Sequence, residues 1–428
     1  MSDPGDVLGQ PPPVATPTPL SRNRNFRLVW IGQVLSGLGT EFGFLAYPLL
    51  ILALTGSAVL AGAVATVTSV AAFAVRLPAG ALVDRWDRRV TMIVCDGVRT
   101  LTLAALAGLV ATHHVTWWVV LVAATIDRVG DTLFTPASNA ALPAIVHDSQ
   151  LESAWAASEG RQYGASLLGP ALGGVLYGIA RTLPFVADAV SYGVSVATSA
   201  ALRGRFTPER GAARTSLWRE TVEGVRFTLG HPLLRAAVIQ APLINFAING
   251  ALFTVILGLR VDGAAPGVVG LTEALAMSGG LVGAIFSSRI QPHLTLTRAV
   301  NLLTVGGTIV LVLAALVMPS PLVALPLALP LFIAPTTNAV LFAAMFRATP
   351  EQLRGRVTNT LMQLSTGLAA LAPVVAGVVT ARFSASWALG AFAGAMAIAA
   401  LVARRMGPAL AAAASPASGA SPPTAPGS

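Results

Sequence analysis

Long apolar runs, separated by short polar segments, follow one another along the whole chain. Each run is close to the roughly 20 residues that a helix needs to cross a hydrocarbon core of about 30 Å. Clusters of Gly, Pro and charge bound six runs in the first part, at residues 26–52, 58–82, 91–112, 116–143, 153–180 and 184–202. Six more lie at residues 232–258, 268–288, 299–318, 321–346, 357–381 and 386–403. The pattern predicts twelve transmembrane spans.

The predicted fold class is an all-α polytopic membrane protein, because lipid cannot satisfy unpaired backbone groups and the runs lack the alternation of a membrane barrel. An internal repeat divides the twelve helices. The stretch "PASNAAL" at 136–142 returns as "PTTNAVL" at 335–341, and "GPALGGVL" at 169–176 returns as "APVVAGVV" at 372–379. Chance similarity between alanine-rich helices is the alternative. Two six-helix halves in parallel repeat suit a transporter whose substrate site lies between them.

The repeat and the polar segments together predict five regions. They are a disordered tail at 1–25, a six-helix half at 26–202, a linker at 203–231, a second six-helix half at 232–405 and a disordered tail at 406–428. The first tail is polar and proline-rich, without the apolar core of a signal peptide. Both tails and the linker are expected on the cytoplasmic side, because that side of the predicted topology carries almost all of the arginines. This places the chain in the cytoplasmic membrane.

Composition supports a membrane protein and excludes several functions. The apolar fraction is 54%, the mean hydropathy is +0.73 and charged residues make up only 11%. The net charge of +9 comes from short segments between apolar runs, which does not suggest nucleic-acid binding. All 27 basic residues are arginine, so neither a phosphate-binding loop that ends in Lys nor a Lys Schiff base is available. The transporter would therefore need an energy source other than its own ATPase.

No catalytic, metal or cofactor site is expected. Cys95 is the single cysteine, and the histidines fall in or beside predicted loops without HExxH or CxxC spacing. A membrane enzyme or a non-transporting sensor remains a weak alternative, since GxSxG is also missing. A monomer is expected.

The stretch "GALVDRWDRR" concentrates charge between two apolar runs. It resembles the loop between the second and third helices of the major facilitator superfamily, which carries a pattern like G-x-L-x-D-R-x-G-R-R. The matching residues are Gly80, Leu82, Asp84, Arg85, Arg88 and Arg89, whereas Asp87 replaces a glycine. The resemblance implies a cytoplasmic gating loop whose Asp84 faces the start of the eleventh helix near Val357. An orientation signal alone is the alternative.

The fifth span contains "GRQYGASLLGPALGG", which places Gly160, Gly169, Pro170, Gly173 and Gly174 on one helix. Glycines permit close helix packing, and proline can bend the helix. The spacing resembles the antiporter motif of the superfamily's drug and proton exchangers, which implies export. Helix packing alone is the alternative.

A wider resemblance covers residues 26–405. The opening "FRLVWIGQVLSGLGTEFGFLAYPLLILALTGS" and the later "DRVGDTLFTPASNAALPAIV" and "LRGRVTN" are similar to the group that contains macrolide efflux proteins and the enterobactin exporter. Where that group commonly has Asp after Gly in the first helix, this chain has Thr40 and Glu41. A displacement by one residue would turn the acid by about 100° around the helix.

Acidic residues inside the predicted spans are candidates for proton coupling, because charge at mid-membrane is costly. Glu41 lies near the middle of the first span, and a structural hydrogen bond is its alternative role. In the fourth span Asp127 and Asp131 share a helical face, and Arg128 is placed to pair with Asp131. This group could be a proton relay, a site for substrate charge or a neutralised structural cluster.

The spans of the second half contain mostly neutral polar groups, with Glu273 as the main acidic exception. Candidates for the substrate cavity are Gln240, Asn245, Asn249, Asn338 and Gln363. A mostly apolar cavity with few polar anchors suits amphiphilic molecules. Asp188 and Glu159 are expected to be solvated near helix ends.

The sequence therefore predicts a secondary transporter that exports hydrophobic or amphiphilic compounds by alternating access, with protons as the coupling ion. The alternative is a narrow exporter of one siderophore or other secondary metabolite. An importer is a weaker possibility.

Overall fold

Every element of the computed structural model is helical within the residues it describes, which are 19–83, 85–204, 206 and 217–405. The α-helices of the N-terminal part are α1 (Arg24–Thr55), α2 (Ala58–Val83), α3 (Arg88–Ala111), α4 (Trp117–Ala141), α5 (Leu151–Ile179) and α6 (Leu183–Ala200). The remaining ones are α7 (Leu217–Gly230), α8 (Pro232–Val261), α9 (Pro266–Ile290), α10 (Leu296–Asn301), α11 (Gly307–Val317), α12 (Ala324–Ala348), α13 (Arg354–Gly367), α14 (Ala372–Arg382) and α15 (Ala385–Arg405).

The positions of all twelve predicted spans coincide with long helical segments. Two of the segments contain a local change of helix type: a π-helical turn at Leu302–Gly306 joins α10 to α11, and a 3-10 turn at Leu368–Leu371 joins α13 to α14. The first helix begins at Arg24, because Asn23 accepts a hydrogen bond from the Phe26 amide. It ends at Gly56, whose φ of 64° is the left-handed conformation that glycine favours.

Nine of the helical segments in the described residues are long and apolar enough to cross a membrane. The other three predicted spans, α4, α5 and α6, have helices of 25, 29 and 18 residues. Their sequences are more polar, with Asp127, Arg128 and Asp131 inside α4 and Asp188 inside α6. Buried polar contacts, described below, account for several of these residues.

Helix α1 packs against α5 and α6, while α3 packs against α4 and α6 and α2 against α4. Among the later helices, α8 packs on α15, α9 on α12, and α11 on both α12 and α15. The most extensive contacts between the early and late helices are those of α5 with α9 and of α2 with α14, and smaller ones join α1 to α8 and α2 to α13. These helix pairs position the residues of the candidate functional site.

The helix α7 lies within the predicted linker. The Nη1 atom of Arg356 on α13 contacts Oε2 of Glu223 on α7 at 2.6 Å, and Gly224 brings α7 close to the Arg356 carbonyl. The residues 1–18, 207–216 and 406–428 lie outside the described part, so the expected disorder of the two tails remains a prediction. Residues 19–25 of the expected first tail include a 3-10 turn at Leu20–Arg22 and the start of α1.

Candidate functional site

A buried arginine on α3 is the centre of a polar cluster inside the first six helices. Arg99 donates from Nε to Oδ1 of Asp127 at 2.9 Å and from Nη1 to Oδ1 of Asp96 at 3.2 Å. Its Nη1 also lies 3.9 Å from Oδ1 of Asp131, whose side chain is 33% exposed. Arg99, Asp96 and Asp127 are buried. One guanidinium therefore joins α3 to α4 through several carboxylates.

Hydroxyl groups from α1 and α6 complete the cluster. Arg99 Nη2 donates to the Thr40 hydroxyl at 3.1 Å and to the Tyr192 hydroxyl, and its guanidinium lies 3.7 Å from the Tyr192 ring centroid. Thr40 and Tyr192 share a hydrogen bond of 3.0 Å, and Tyr47 donates to Oδ2 of Asp127 at 3.2 Å. The cluster thus draws residues from four helices, α1, α3, α4 and α6.

Asp188 on α6 is buried at 1% exposure, so the expectation that it would be solvated is wrong. The sequence places it near the start of the span, but α1 covers it. Gly39 of α1 leaves the space that Asp188 occupies, since a Cβ on Gly39 would collide with the carboxylate and with Ser191 Oγ. Ser191 donates to Oδ1 of Asp188 at 3.3 Å, whereas Oδ2 has no hydrogen-bond partner among the described residues.

The predicted pairing of Arg128 with Asp131 is wrong for the described residues. Arg128 is exposed and makes no ion pair with a described residue within 4 Å, and the cation nearest to Asp131 is Arg99. Arg99 and Asp96 were not singled out from the sequence. The sequence does indicate this pair, because "DGVR" places an acid and a base three residues apart within an apolar run, where they share one helical face.

Glu41 lies beside this cluster on α1 and is partly buried. Its Oε1 accepts a hydrogen bond of 2.8 Å from the Ser166 hydroxyl on α5. Glu41 can pack closely against α5 because Gly169 has no side chain. A Cβ at Gly169 would collide with Glu41 Cβ. Arg128 and Asp131 are the charged groups that act on Glu41 electrostatically. The structure therefore brings the predicted acid and the predicted glycine helix into direct contact.

The glycine face of α5 also makes the contact with α9. A Cβ on Gly174 would lie 2.6 Å from the Pro266 carbonyl oxygen and 3.0 Å from Gly270 Cα, while one on Gly270 would collide with the Pro170 carbonyl. Gly173 is turned to α1, where a Cβ would lie 3.1 Å from Phe42 Cα. Gly160, near the other end of α5, faces open space. Close packing is thus confined to the Gly169 to Gly174 part of the motif.

The acid Glu273 lies one turn beyond Gly270 on α9. It is 1% exposed, and neither carboxylate oxygen has a hydrogen-bond partner among the described residues. Glu41 is the charged group that acts on it electrostatically. A buried acid without a partner is unusual, because desolvating a charge is costly.

The charged loop between α2 and α3 caps neighbouring helices. Asp87 begins α3 by accepting from the Val90 amide at 3.0 Å. Arg88 donates to the Ala140 carbonyl at 2.8 Å, and Arg89 donates to the carbonyls of Ser199, at 3.2 Å, and Ala200. Cations at the C-terminal ends of α4 and α6 complement the helix dipoles.

Arg85 of the same loop is exposed, and Gly80 lies in the last turns of α2. Asp84 lies outside the described residues, so its predicted position near Val357 is not addressed by the structure.

The predicted cavity residues lie in three kinds of environment. Gln240 is buried and donates to the Ala399 carbonyl on α15 at 3.2 Å, which makes it a packing contact between α8 and α15. Gln363 is buried and donates to the Phe73 carbonyl on α2 at 3.2 Å, across the early and late helices. Asn249 and Asn338 are exposed, and Asn245 is partly exposed. Asn245 and Asn249 donate to carbonyls of their own helix, those of Ala241 and Asn245.

The described residues contain no group of three or more His, Cys, Asp or Glu side chains that could hold a metal ion. The Asp96, Asp127 and Asp131 carboxylates instead share Arg99 as their cation. The site is therefore one of protonatable and hydrogen-bonding groups.

Comparison with known families agrees with this architecture. The sequence model of the Major Facilitator Superfamily matches residues 29–369. The chain belongs to this superfamily. It is therefore a multi-pass membrane transporter of small molecules with an all-helical fold.

Two curated relatives are efflux proteins. The multidrug efflux pump Tap of Mycolicibacterium fortuitum is 27% identical over 370 residues, which cover 82% of this chain and 88% of that protein. Macrolide efflux protein A of Streptococcus pyogenes is 27% identical over 297 residues, which cover 66% of this chain and 72% of that protein. The crystal structure of the nucleoside transporter NupG shares the fold, with a TM-score of 0.69 at 13% identity, over 90% of this chain and 99% of that one.

Proposed function

We propose that this protein exports hydrophobic or amphiphilic small molecules, drug-like or macrolide-like, from the cytoplasm in exchange for protons. Export is supported by the efflux proteins to which the chain is similar and by the glycine motif on α5. Proton exchange is supported by the polar cluster around Arg99. The cytoplasmic membrane is its location, with both termini cytoplasmic, because the arginines concentrate on that side.

The excess of acid over base around Arg99 is the observation that carries the proposal of proton coupling. Asp96, Asp127, Asp131 and Asp188 all interact with this single guanidinium. If all four were ionised, the cluster would carry a net charge of −3, from four negative charges and one positive. An uncompensated buried charge costs several kcal/mol. Three of these acids, Asp96, Asp127 and Asp188, are buried with Arg99, and the proposal places exchangeable protons among them that are released when the hydration of the cluster changes.

Glu41 connects the cluster to the helix contact that changes during transport. It touches Ser166 and Gly169 on α5, the helix that meets α9. A change in the α5–α9 contact would alter the environment of the Glu41 carboxyl group. Protonation of Glu41 would in turn change the stability of that contact. Such reciprocity is what couples two fluxes.

Alternating access would be a relative movement of residues 26–202 and 232–405, the two proposed halves, connected by 203–231. Two close contacts between the proposed halves support closure at one end. Gly62 of α2 lies against the Pro373 carbonyl, and Gly174 lies against Gly270. These residues are at the ends of their helices that the proposed topology places outside. The proposal assigns substrate loading to the opposite, cytoplasmic end.

The substrate would enter from the cytoplasm or the inner leaflet and meet few polar anchors. Of the five candidate cavity residues, Asn245, Asn249 and Asn338 keep exposed or partly exposed side chains that could contact it. Gln363 is proposed to act differently, as a hydrogen-bonded link between α13 and α2.

The experiment is an accumulation assay in efflux-deficient bacteria that carry the protein or an empty vector. Hydrophobic dyes, macrolides and siderophore-like compounds are compared before and after a protonophore. Lower accumulation that the protonophore abolishes supports proton-linked export. One strong substrate in the panel would favour the narrow metabolite exporter, whereas higher accumulation inside cells would identify an importer.

A further inference from the structure

Glu273 is a buried acid that the cluster around Arg99 does not include. It lies on α9, among the later helices, and is enclosed at 1% exposure with both carboxylate oxygens unpartnered in the described residues. No described arginine or histidine forms an ion pair with it. A proton is the cation that such a site can hold.

The position of Glu273 in the α5–α9 contact suggests when the proton is held. Residues three apart share a helical face, so Glu273 faces the same direction as Gly270, which packs against Pro170 and Gly174. On the other side of α5, Gly169 packs against Glu41. Glu273 therefore lies next to the face of α9 that closes on α5.

The titratable groups on the helices around Glu273 do not neutralise it. Glu41 on α1 is the charged group that interacts electrostatically with Glu273. Because Glu41 is also an acid, its negative charge would repel an ionised Glu273 rather than neutralise it. The other titratable groups on elements packed against α9 are Glu152, Glu159, Arg161, Tyr163 and Tyr177 on α5, Arg235 and Arg260 on α8, Arg347 on α12, and His293 in the 3-10 turn Gln291–His293. None of these is within ion-pair distance of Glu273 in the described structure. An ionised Glu273 would thus be uncompensated.

We propose that Glu273 binds the coupling proton while α5 and α9 are in contact, and that loss of this proton opens the contact. In the open conformation the carboxylate is hydrated from the extracellular side and takes a proton from water. The neutral acid then allows closure. When the proton leaves to water on the cytoplasmic side, the charge on Glu273 favours separation of the helices again.

The inference rests on the proposed proton exchange and adds to it a second protonation site, outside the first six helices. It differs from the role of the glycines, which permit close packing in either protonation state. The acid supplies the dependence on pH that the glycines cannot supply.

The test is a distance measurement at the outer end of the contact. Spin labels are attached at Ile179→Cys and Ala265→Cys, two exposed positions at the end of α5 and the start of α9, with Cys95→Ala as background. The distances are recorded by pulsed electron paramagnetic resonance in lipid nanodiscs, in acidic and in alkaline buffer. The ligand is the proton itself, so no substrate is required.

We expect the short distance to dominate in acidic buffer and a longer one to gain population as the pH rises. Glu273→Gln, which resembles the neutral acid in size and shape, should keep the short distance at both pH values. Glu273→Asp retains a carboxylate and should restore the dependence on pH. Comparable thermal melting of all variants confirms that they are folded.

The inference is overturned if Glu273→Gln follows the same pH dependence as the parent, or if the parent shows no pH dependence at all. The accumulation assay separates these failures from failure of the proposed function. Export that responds to the protonophore, together with an unaffected Glu273→Gln distance response, rejects only the assignment of Glu273. Export that ignores the protonophore rejects proton exchange, and this inference with it.

Discussion

Arg99 on α3 and Asp127 on α4 form a buried ion pair, with Nε and Oδ1 2.9 Å apart. The same guanidinium contacts Asp96 and two hydroxyl groups, so the donors that it carries are largely occupied. A planar guanidinium suits such a site, since its donors are arranged in a fixed fork that an ammonium group lacks. The pair thus links structural stability to the protonation chemistry proposed for the cluster.

Arg99→Gln is predicted to destabilise the folded protein strongly. Removal of one partner of a buried pair typically costs about 3–5 kcal/mol, because the remaining charge is uncompensated. Thermal melting of the purified protein in detergent measures the effect. Arg85→Gln, at an exposed loop position, is the control. The double variant Arg99→Gln with Asp127→Asn should recover part of the loss, and an Arg99→Gln protein that melts like the parent would contradict the cluster.

Gly39→Ala is predicted to destabilise the contact between α1 and α6. The added methyl group would collide with the Asp188 carboxylate and Ser191 Oγ, and overpacking of this kind costs about 1–3 kcal/mol. The matched control is Gly97→Ala on α3, where a Cβ meets nothing within 4 Å. That replacement should be neutral or stabilise by up to about 1 kcal/mol, as expected for Ala in a helix. Equal melting of the two variants would argue against the buried position of Asp188.

Gly174→Ala is predicted to weaken the α5–α9 contact and slow transport. The methyl group would meet backbone atoms of Pro266 and Gly270, which cannot rotate away as a side chain can. A bias of one or two kcal/mol changes a conformational ratio by a factor of about 5–30. Initial rates of export from inverted vesicles measure the loss. Gly267→Ala lies in the same contact region with open space around the added Cβ, and should transport like the parent.

Much of the fold could be predicted from apolar periodicity, because membrane helices have to match a fixed thickness. The twelve expected segments all contain helices, although α4, α5 and α6 fall short of the apolarity of the other nine. Contacts between helices were harder to predict. A rotation of about 100° per residue decides whether a side chain faces lipid or a neighbour, and Asp188 and Arg128 both face differently from expectation.

The candidate site was predicted in part. The sequence identified Glu41, Asp127, Asp131 and the glycines of α5, because acids and clustered glycines are unusual in apolar helices. It did not identify Arg99, which pairs with acids from two helices and so depends on tertiary packing. The partners of Glu41 and Gly270 likewise follow from the arrangement of α1, α5 and α9.

Glu41→Gln is predicted to abolish export that depends on the proton gradient while leaving expression and membrane insertion intact. The amide retains the hydrogen bond with Ser166 but cannot exchange a proton. Accumulation of an identified substrate in cells, with and without a protonophore, measures the loss. Glu159→Gln changes an exposed acid on α5 and serves as the control. Export by Glu41→Gln at the parent's rate and with the parent's protonophore sensitivity would remove Glu41 from the mechanism.

The central claim is that substrate and protons move in opposite directions through the same protein. The most direct measurement uses proteoliposomes that enclose a pH-sensitive dye, with no other transporter present. Addition of a macrolide or cationic dye selected by the accumulation assay should cause a proton flux opposite to substrate movement, and an imposed pH gradient should drive substrate against its own gradient. Substrate movement without any change in the enclosed pH, and without response to the imposed gradient, would contradict proton exchange.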